Sequence, residues 1–179
     1  MKNMKFFYVF LLSLGVKDTD VARFVGVSHN LIGKWFQNDD TYIGYVDMTC
    51  RALGYSLTIL FYSPHSGVIE FSADCPMRGL ADRLGISRAD MARSIGITPL
   101  SVGYVLRQNL DRMMVTRLHE IADGNGYMVY FRIAPLPQEE GSEIQHDGNR
   151  FVATVHLLPL IFDRNSTIPT DRGSDRRRR

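Results

Sequence analysis

The chain has 179 residues, with hydrophobic side chains at 45% and charged ones at 22%, a balance that excludes wholesale disorder and leaves room for one sizeable domain or two small ones. The formal net charge is +2, yet residues 162–179 alone hold six arginines against three aspartates, so the remainder is near neutral and is excluded as a uniformly basic nucleic-acid wrapper. The two cysteines, Cys50 and Cys75, make neither a disulfide framework nor a zinc site, which fits a reducing, cytoplasmic setting.

The first predicted element is apolar. Lys2 and Lys5 precede the run Phe6, Phe7, Tyr8, Val9, Phe10, Leu11, Leu12, which imitates a signal peptide. No small-x-small cleavage site follows, and the run is too short to span a bilayer. Phe10, Leu11 and Leu14 instead supply one face of a first helix. No membrane partner is expected.

A second helix is predicted over 18–25 and stops at Gly26, where a left-handed backbone favours glycine. Ser28 is a suitable N-cap for a third helix. A fourth covers roughly 42–53 and ends near Gly54. Asp39 and Asp40 read as a turn between the third and fourth. Two strands are predicted next. Over 56–62, Leu57, Ile59 and Phe61 share a face at the strand period of two. The second is 67–72, reached through a turn at Pro64, His65, Ser66 and Gly67. The first strand is apolar on both faces, so a cover from the other unit or a second chain is expected.

The pattern then returns. Leu14, Gly15, Asp20, Ala22, Arg23 and Gly26 recur 70 positions later as Leu84, Gly85, Asp90, Ala92, Arg93 and Gly96. Val27 and Ser28 become Ile97 and Thr98, and Gly33 becomes Gly103. A second block recurs at an offset of 72: Val46 with Leu118, Cys50 with Ala122, Gly54 and Tyr55 with Gly126 and Tyr127, Leu57 with Val129, Ile59 with Phe131. Self-similarity in two blocks of the same order marks an internal duplication. The change of offset places a two-residue insertion in a loop between the blocks.

The second copy is therefore predicted to repeat the elements of the first. Leu80, Ala81 and Leu84 face inward from its first helix. A capping-box-like Ser87-Arg88-Ala89-Asp90 opens its second, which ends before Gly96. Thr98 caps a third helix with Pro99 at its first position, where the missing N–H costs nothing. A fourth covers 111–122, followed by a strand over 127–133 with Val129, Phe131 and Ile133 on one face. A further strand is predicted over 151–158, beyond a polar loop, and residues 162–179 are expected to form a disordered basic tail.

The predicted organisation is a first unit over 6–62, a linker or hairpin over 63–76, a second unit over 77–133, a loop and C-terminal strand over 134–161, and the tail over 162–179. The fold class is α+β, mainly α: two tandem helix-turn-helix units, each followed by β-strands able to join in a shared sheet.

Leu14, Gly15, Val21, Ala22, Gly26, Val27, Ser28, Ile32 and Trp35 resemble the phage Cro/repressor (XRE-type) helix-turn-helix family, and so do Leu84, Gly85, Met91, Ala92, Gly96, Ile97, Thr98 and Val102. The resemblance covers roughly 6–62 and 77–133. It implies a repressor-like fold, double-stranded DNA as partner, and a third helix whose N-terminal side chains meet base edges in the major groove. The polar residue that commonly opens the family's second helix is Asp18 in one unit and Arg88 in the other.

The DNA-binding candidates implied in the first unit are Ser28, His29, Asn30, Gly33 and Lys34. Asn30 can bond adenine through its amide, and Lys34 can meet guanine or a phosphate. In the second unit they are Arg88, Ser101, Tyr104, Arg107 and Gln108, although Pro99, Leu100, Gly103 and Tyr104 make a poor hydrogen-bonding set. Residues 7–62 carry four basic and five acidic side chains, whereas 77–133 carry eight arginines and five acids. Phosphate affinity is thus expected mainly from the second unit and base selection from the first. Trp35, Tyr55 and Tyr127 read as packing residues.

Enzymatic chemistry finds no support. The five histidines lack metal-ligand spacing, and no nucleophile elbow, P-loop or paired-carboxylate pattern occurs, so no catalytic residue, metal or cofactor is expected. The competing expectation is a helix-turn-helix scaffold for protein–protein interaction, such as an antitoxin-like binder or a phage structural component. A homodimer or protein partner would then join through the strands. An exposed apolar patch including Leu100 and Tyr104 would favour a protein partner; a positive stripe over both third helices would favour DNA.

Overall fold

The computed structural model describes residues 3–137. The first unit contributes α1 (Lys5–Ser13), α2 (Asp18–Val25), α3 (His29–Asn38), α4 (Ile43–Ala52) and β1 (Tyr55–Ser63), and the hairpin that follows it contributes β2 (Gly67–Ser72). The second contributes α5 (Met77–Leu84), α6 (Arg88–Ser94), α7 (Pro99–Val105), a 3-10 turn (Leu110–Arg112), α8 (Val115–Gly124) and β3 (Met128–Pro135). The architecture is α+β and mainly helical, and the described residues hold an antiparallel sheet of order β2-β1-β3. The strand expected over 151–158 and the basic tail lie outside the described residues.

The signal-like run packs one face into the core and leaves Tyr8 and Leu12 exposed. Phe6, Phe7, Phe10 and Leu11 of α1 are buried, and the Phe6 ring stacks on Phe131 of β3 at 4.2 Å between centroids and 5° between planes. α2 stops where Gly26 takes a left-handed backbone, φ 71°. That conformation brings a Cβ too close to the following carbonyl in other residues. Val27 then returns its N–H to the Ala22 carbonyl, and the chain turns into α3.

β1 buries Leu57, Ile59, Phe61 and Ser63 and leaves the alternate positions half-covered, as the two-residue period requires. Its outward face, continued by β2 and β3, carries Leu60, Tyr62 and Tyr130 half-buried, with Val68 and Met128 exposed. Arg132 reaches across β1 to hold Glu70 at two points, 3.0 and 2.6 Å. The expected cover over this face is not supplied by the described residues.

Two antiparallel pairings join the units. In the β1–β3 ladder Ile59 faces Phe131. Between the helical layers, Tyr42 and Met114 form a bridge, in which Ile43 N–H donates to Met113 O and Val115 N–H to Thr41 O, both at 2.9 Å. Each facing pair consists of repeat equivalents, 72 positions apart. An antiparallel pairing centred on equivalent residues lies on a two-fold axis, because exchanging the strands returns the same contact. Two such centres fix the line of that axis, and the chain is built as an internal pseudo-dimer of the isologous kind. The burial patterns agree: residues 17–30 match 87–100, and 41–55 match 113–127, position by position.

Some local expectations require correction. The fourth helix of the second unit begins at Val115, not at residue 111. The two extra residues of this copy fall after α7, where the chain leaves the helix at Leu106, pairs Asn109 with Pro76, and makes the 3-10 turn before α8. Ser28 stands at the N-cap of α3 but makes no side-chain cap bond. Ser87 and Thr98 do cap, accepting from Asp90 N–H at 3.1 Å and Ser101 N–H at 3.3 Å. Asp39 and Asp40 are more than a turn. Asp39 sits at φ 57° and its carboxylate accepts from the backbone of Asn3 and Met4, while Asp40 accepts from Thr116 N–H at the start of α8 in the other unit.

Trp35 is buried and stacks on Tyr45 at 5.0 Å. Tyr127 packs edge-on against Phe61 and donates its hydroxyl to the Leu84 carbonyl at 2.9 Å. Cys50 is fully buried, and that burial, reinforced by the nearby Asp47 charge, pushes its thiol far above the ordinary range.

Candidate nucleic-acid interface

α3 is amphipathic because Ile32 and Trp35 must face the core, one turn apart on the helix. That requirement turns His29, Asn30, Lys34 and Gln37 outward, and all four are exposed. Asn30, Lys34 and Gln37 follow the spacing i, i+4, i+7 and so form one stripe along the helix. Gly33 lies beside the stripe, and a Cβ built there would meet nothing within 4 Å. Ser28 is exposed at the start of the helix.

α7 repeats the design with different chemistry. Val102 is buried and holds the helix to the core. Leu100, Tyr104 and Arg107 occupy the positions of Asn30, Lys34 and Gln37, 70 residues on. Leu100 is 85% exposed and Tyr104 67%, so the first two positions of this stripe present apolar side chains to solvent. Arg107 lies just beyond the helix end and folds back over it. Its guanidinium carbon sits 4.9 Å from the Tyr104 ring centroid, and its Nε donates to the Gly103 carbonyl at 3.0 Å. That placement gives Tyr104 a cationic lid.

The other second-unit candidates are less concentrated. Ser101 is half-buried, and its hydroxyl shares a 3.0 Å hydrogen bond with the Thr98 hydroxyl, so it serves the cap and not the outer stripe. Gln108 is exposed while its backbone carbonyl ties down Met77 N–H at 3.0 Å. Arg88 is exposed at the first position of α6. Arg93, by contrast, is engaged with Asp90 at 2.9 Å. The Ser87 hydroxyl, and then that guanidinium, hold the Asp90 carboxyl below its usual range.

The axis sets the relation between the two stripes. α3 runs through Asp39 to the Tyr42 bridge, and the 3-10 turn carries the chain from α7 to Met114, the opposite half of the same bridge. Rotation about an axis leaves height along it unchanged, so the stripes of α3 and α7 stand at the same level on opposite sides of the axis. Tyr42 and Met114 are 46% and 40% exposed between them.

Gln37 is absent from the residues that the sequence nominates, though its alignment with Arg107 marks it. Tyr42 and Met114 carry no sequence signal, because a residue's position on a symmetry axis is a property of the assembled fold. Among the described residues, no group of three or more His, Cys, Asp or Glu side chains is placed to hold a metal ion, and no helix is long and apolar enough to cross a membrane. No family model, curated protein or solved structure matches the chain.

Proposed function

We propose that this chain is a sequence-specific double-stranded DNA-binding protein, a transcriptional regulator of the phage-repressor kind, that sets α3 and α7 into successive turns of the major groove. The observation that carries this reading is the internal two-fold axis joining two helix-turn-helix units. Duplex DNA has local two-fold axes of its own, and a protein with matching symmetry reads two half-sites about one helical turn apart. Helix-turn-helix dimers reach that symmetry by pairing two chains; here a single chain supplies both halves.

Asn30 and Lys34 fit the work of base and phosphate contact in the first unit. The excess of arginine in the second unit, with Arg88 exposed on α6 and Arg107 flanking α7, fits a phosphate-positioning role. The test is selection of bound duplexes from a randomised pool, followed by titration of the recovered site. A defined motif is expected, with affinity falling as salt rises. Asn30→Ala should weaken binding by about 1–3 kcal/mol and relax preference at one base pair. Lys34→Ala should weaken it with less effect on preference. Recovery of no preferred sequence would refute the reading.

A second reading has one observation in its favour. Leu100 and Tyr104 are largely uncovered, and exposed apolar side chains grouped on one helix also suit a protein partner. In that case α7 is a docking helix and only α3 retains a nucleic-acid role.

A further inference from the structure

Resting on the DNA-binding reading, we infer that the two recognition helices read by different chemistries: α3 by hydrogen bonds, and α7 by apolar contact with the 5-methyl groups of thymine. The chain would then bind an asymmetric site in one fixed orientation.

The two stripes are positionally equivalent, 70 residues apart. Asn30, Lys34 and Gln37 present amide and ammonium groups. At the same three positions the second unit presents a leucine, a tyrosine ring and an arginine lying over that ring. The leucine side chain has neither donor nor acceptor. On the major-groove edge of a base pair, the one apolar feature is the thymine methyl; every other distinguishing feature is a hydrogen-bonding group. A leucine facing those groups would desolvate them without replacing their bonds, whereas facing a methyl it removes two apolar surfaces from water.

Two further observations favour DNA over a protein as occupant of α7. The unit bearing this stripe holds eight arginines against five acids, a charge complementary to phosphate. Arg107 also lies over the edge of the patch, with its Nε on the Gly103 carbonyl. A dry protein interface would have to bury that cation, while a groove edge leaves it beside phosphate.

The consequence goes beyond affinity. A symmetric dimer binds a palindrome equally well in either sense. This chain has unlike halves joined through the β1–β3 ladder and the Tyr42–Met114 bridge, so an A·T-rich half-site would recruit α7 and the opposite half-site α3. Whatever else the chain carries would then always face the same direction along the DNA.

The experiment uses the full chain and the tightest duplex recovered from the randomised pool. Deoxyuridine replaces thymidine in one half-site at a time, which removes the 5-methyl and leaves base pairing intact. Replacement in one half-site is expected to weaken binding roughly three- to tenfold per contacted thymine, and replacement in the other to change little. Leu100→Ala should abolish the discrimination between thymine and uracil, and Asn30→Ala should preserve it. Leu100 is exposed, so its truncation leaves the fold intact; an unchanged far-ultraviolet circular dichroism spectrum verifies this. Sequence-selective binding that ignores the methyl in both half-sites would overturn this inference and keep the DNA-binding reading. Absence of selective duplex binding by the unaltered chain would defeat the DNA-binding reading itself.

Discussion

Ile59 and Phe131 are the same position of the repeat, and they face each other across the β1–β3 ladder. Phe131 also receives the ring of Phe6 from α1, so a strand of the second unit forms part of the floor beneath the first helix of the chain. The units therefore share a core instead of packing as finished domains.

Truncating Phe131 should test that sharing. Phe131→Ala removes a buried ring that touches both units, and a loss of about 3–5 kcal/mol is expected. Trp35 is the single tryptophan and is buried in the first unit, so its fluorescence reports that unit alone, while circular dichroism reports all helices. In urea the two signals should move together for both the parent chain and the variant. Separate transitions would mean that the halves fold independently.

The helix caps make a sharper local contrast. Ser87→Ala and Thr98→Ala each remove a hydroxyl that accepts a helix N–H, and each should cost about 0.5–2 kcal/mol. Ser28→Ala removes no cap bond and should be close to neutral in denaturant midpoint. Under the proposed DNA-binding function, Ser28→Ala should act on duplex affinity and not on stability.

Two helical glycines should respond in opposite senses to alanine. At Gly44 an added Cβ would stand 2.9 Å from the Asp111 carbonyl oxygen and 3.2 Å from its Cβ, at the joint between α4 and the 3-10 turn. Gly44→Ala is expected to destabilise by about 1–3 kcal/mol. Gly33 has open space around it, so Gly33→Ala should stabilise the helix by up to about 1 kcal/mol. The same methyl would obstruct close approach of the α3 backbone to a groove. Thermal unfolding and duplex titration on the two variants separate stability from binding.

Acid stability should depend in part on Asp90. Its carboxyl lies below the usual range in the folded chain because the Ser87 hydroxyl and Arg93 favour the charged form. A folded value below the unfolded one means that the stabilisation is complete above the unfolded value, about 3.9, and is lost as pH falls through the folded value. Asp90→Asn should flatten the fall in urea midpoint below about pH 4 and leave the neutral-pH slope unchanged. Equal acid sensitivity in both proteins would remove Asp90 as a contributor.

Much of the helical layer is legible in the amino-acid order. Gly26 and Gly96, the apolar face of each helix and the caps at Ser87 and Thr98 are local matters, settled by backbone sterics and a 3.6-residue period. The duplication is visible for the same reason: equivalent positions must satisfy equivalent burial. The start of α8 falls later than its local pattern suggests because two inserted residues and a bridge from Asn109 to Pro76 shorten α7, and no local pattern announces a long-range pairing. Asp39 and Asp40 read in sequence as solvated turn residues because their partners, the backbone of Asn3, Met4 and Thr116, are distant in the chain.

The order of residues thus determined which faces are inward and, in α7, that the outward stripe is apolar. Tertiary structure alone decided that repeat equivalents would meet at Tyr42–Met114 and Ile59–Phe131, placing the two unlike stripes at one level about a common axis. The physical reason is that periodicity acts between near neighbours, whereas a symmetry axis arises only when distant strands exchange hydrogen bonds and their side chains close a single core.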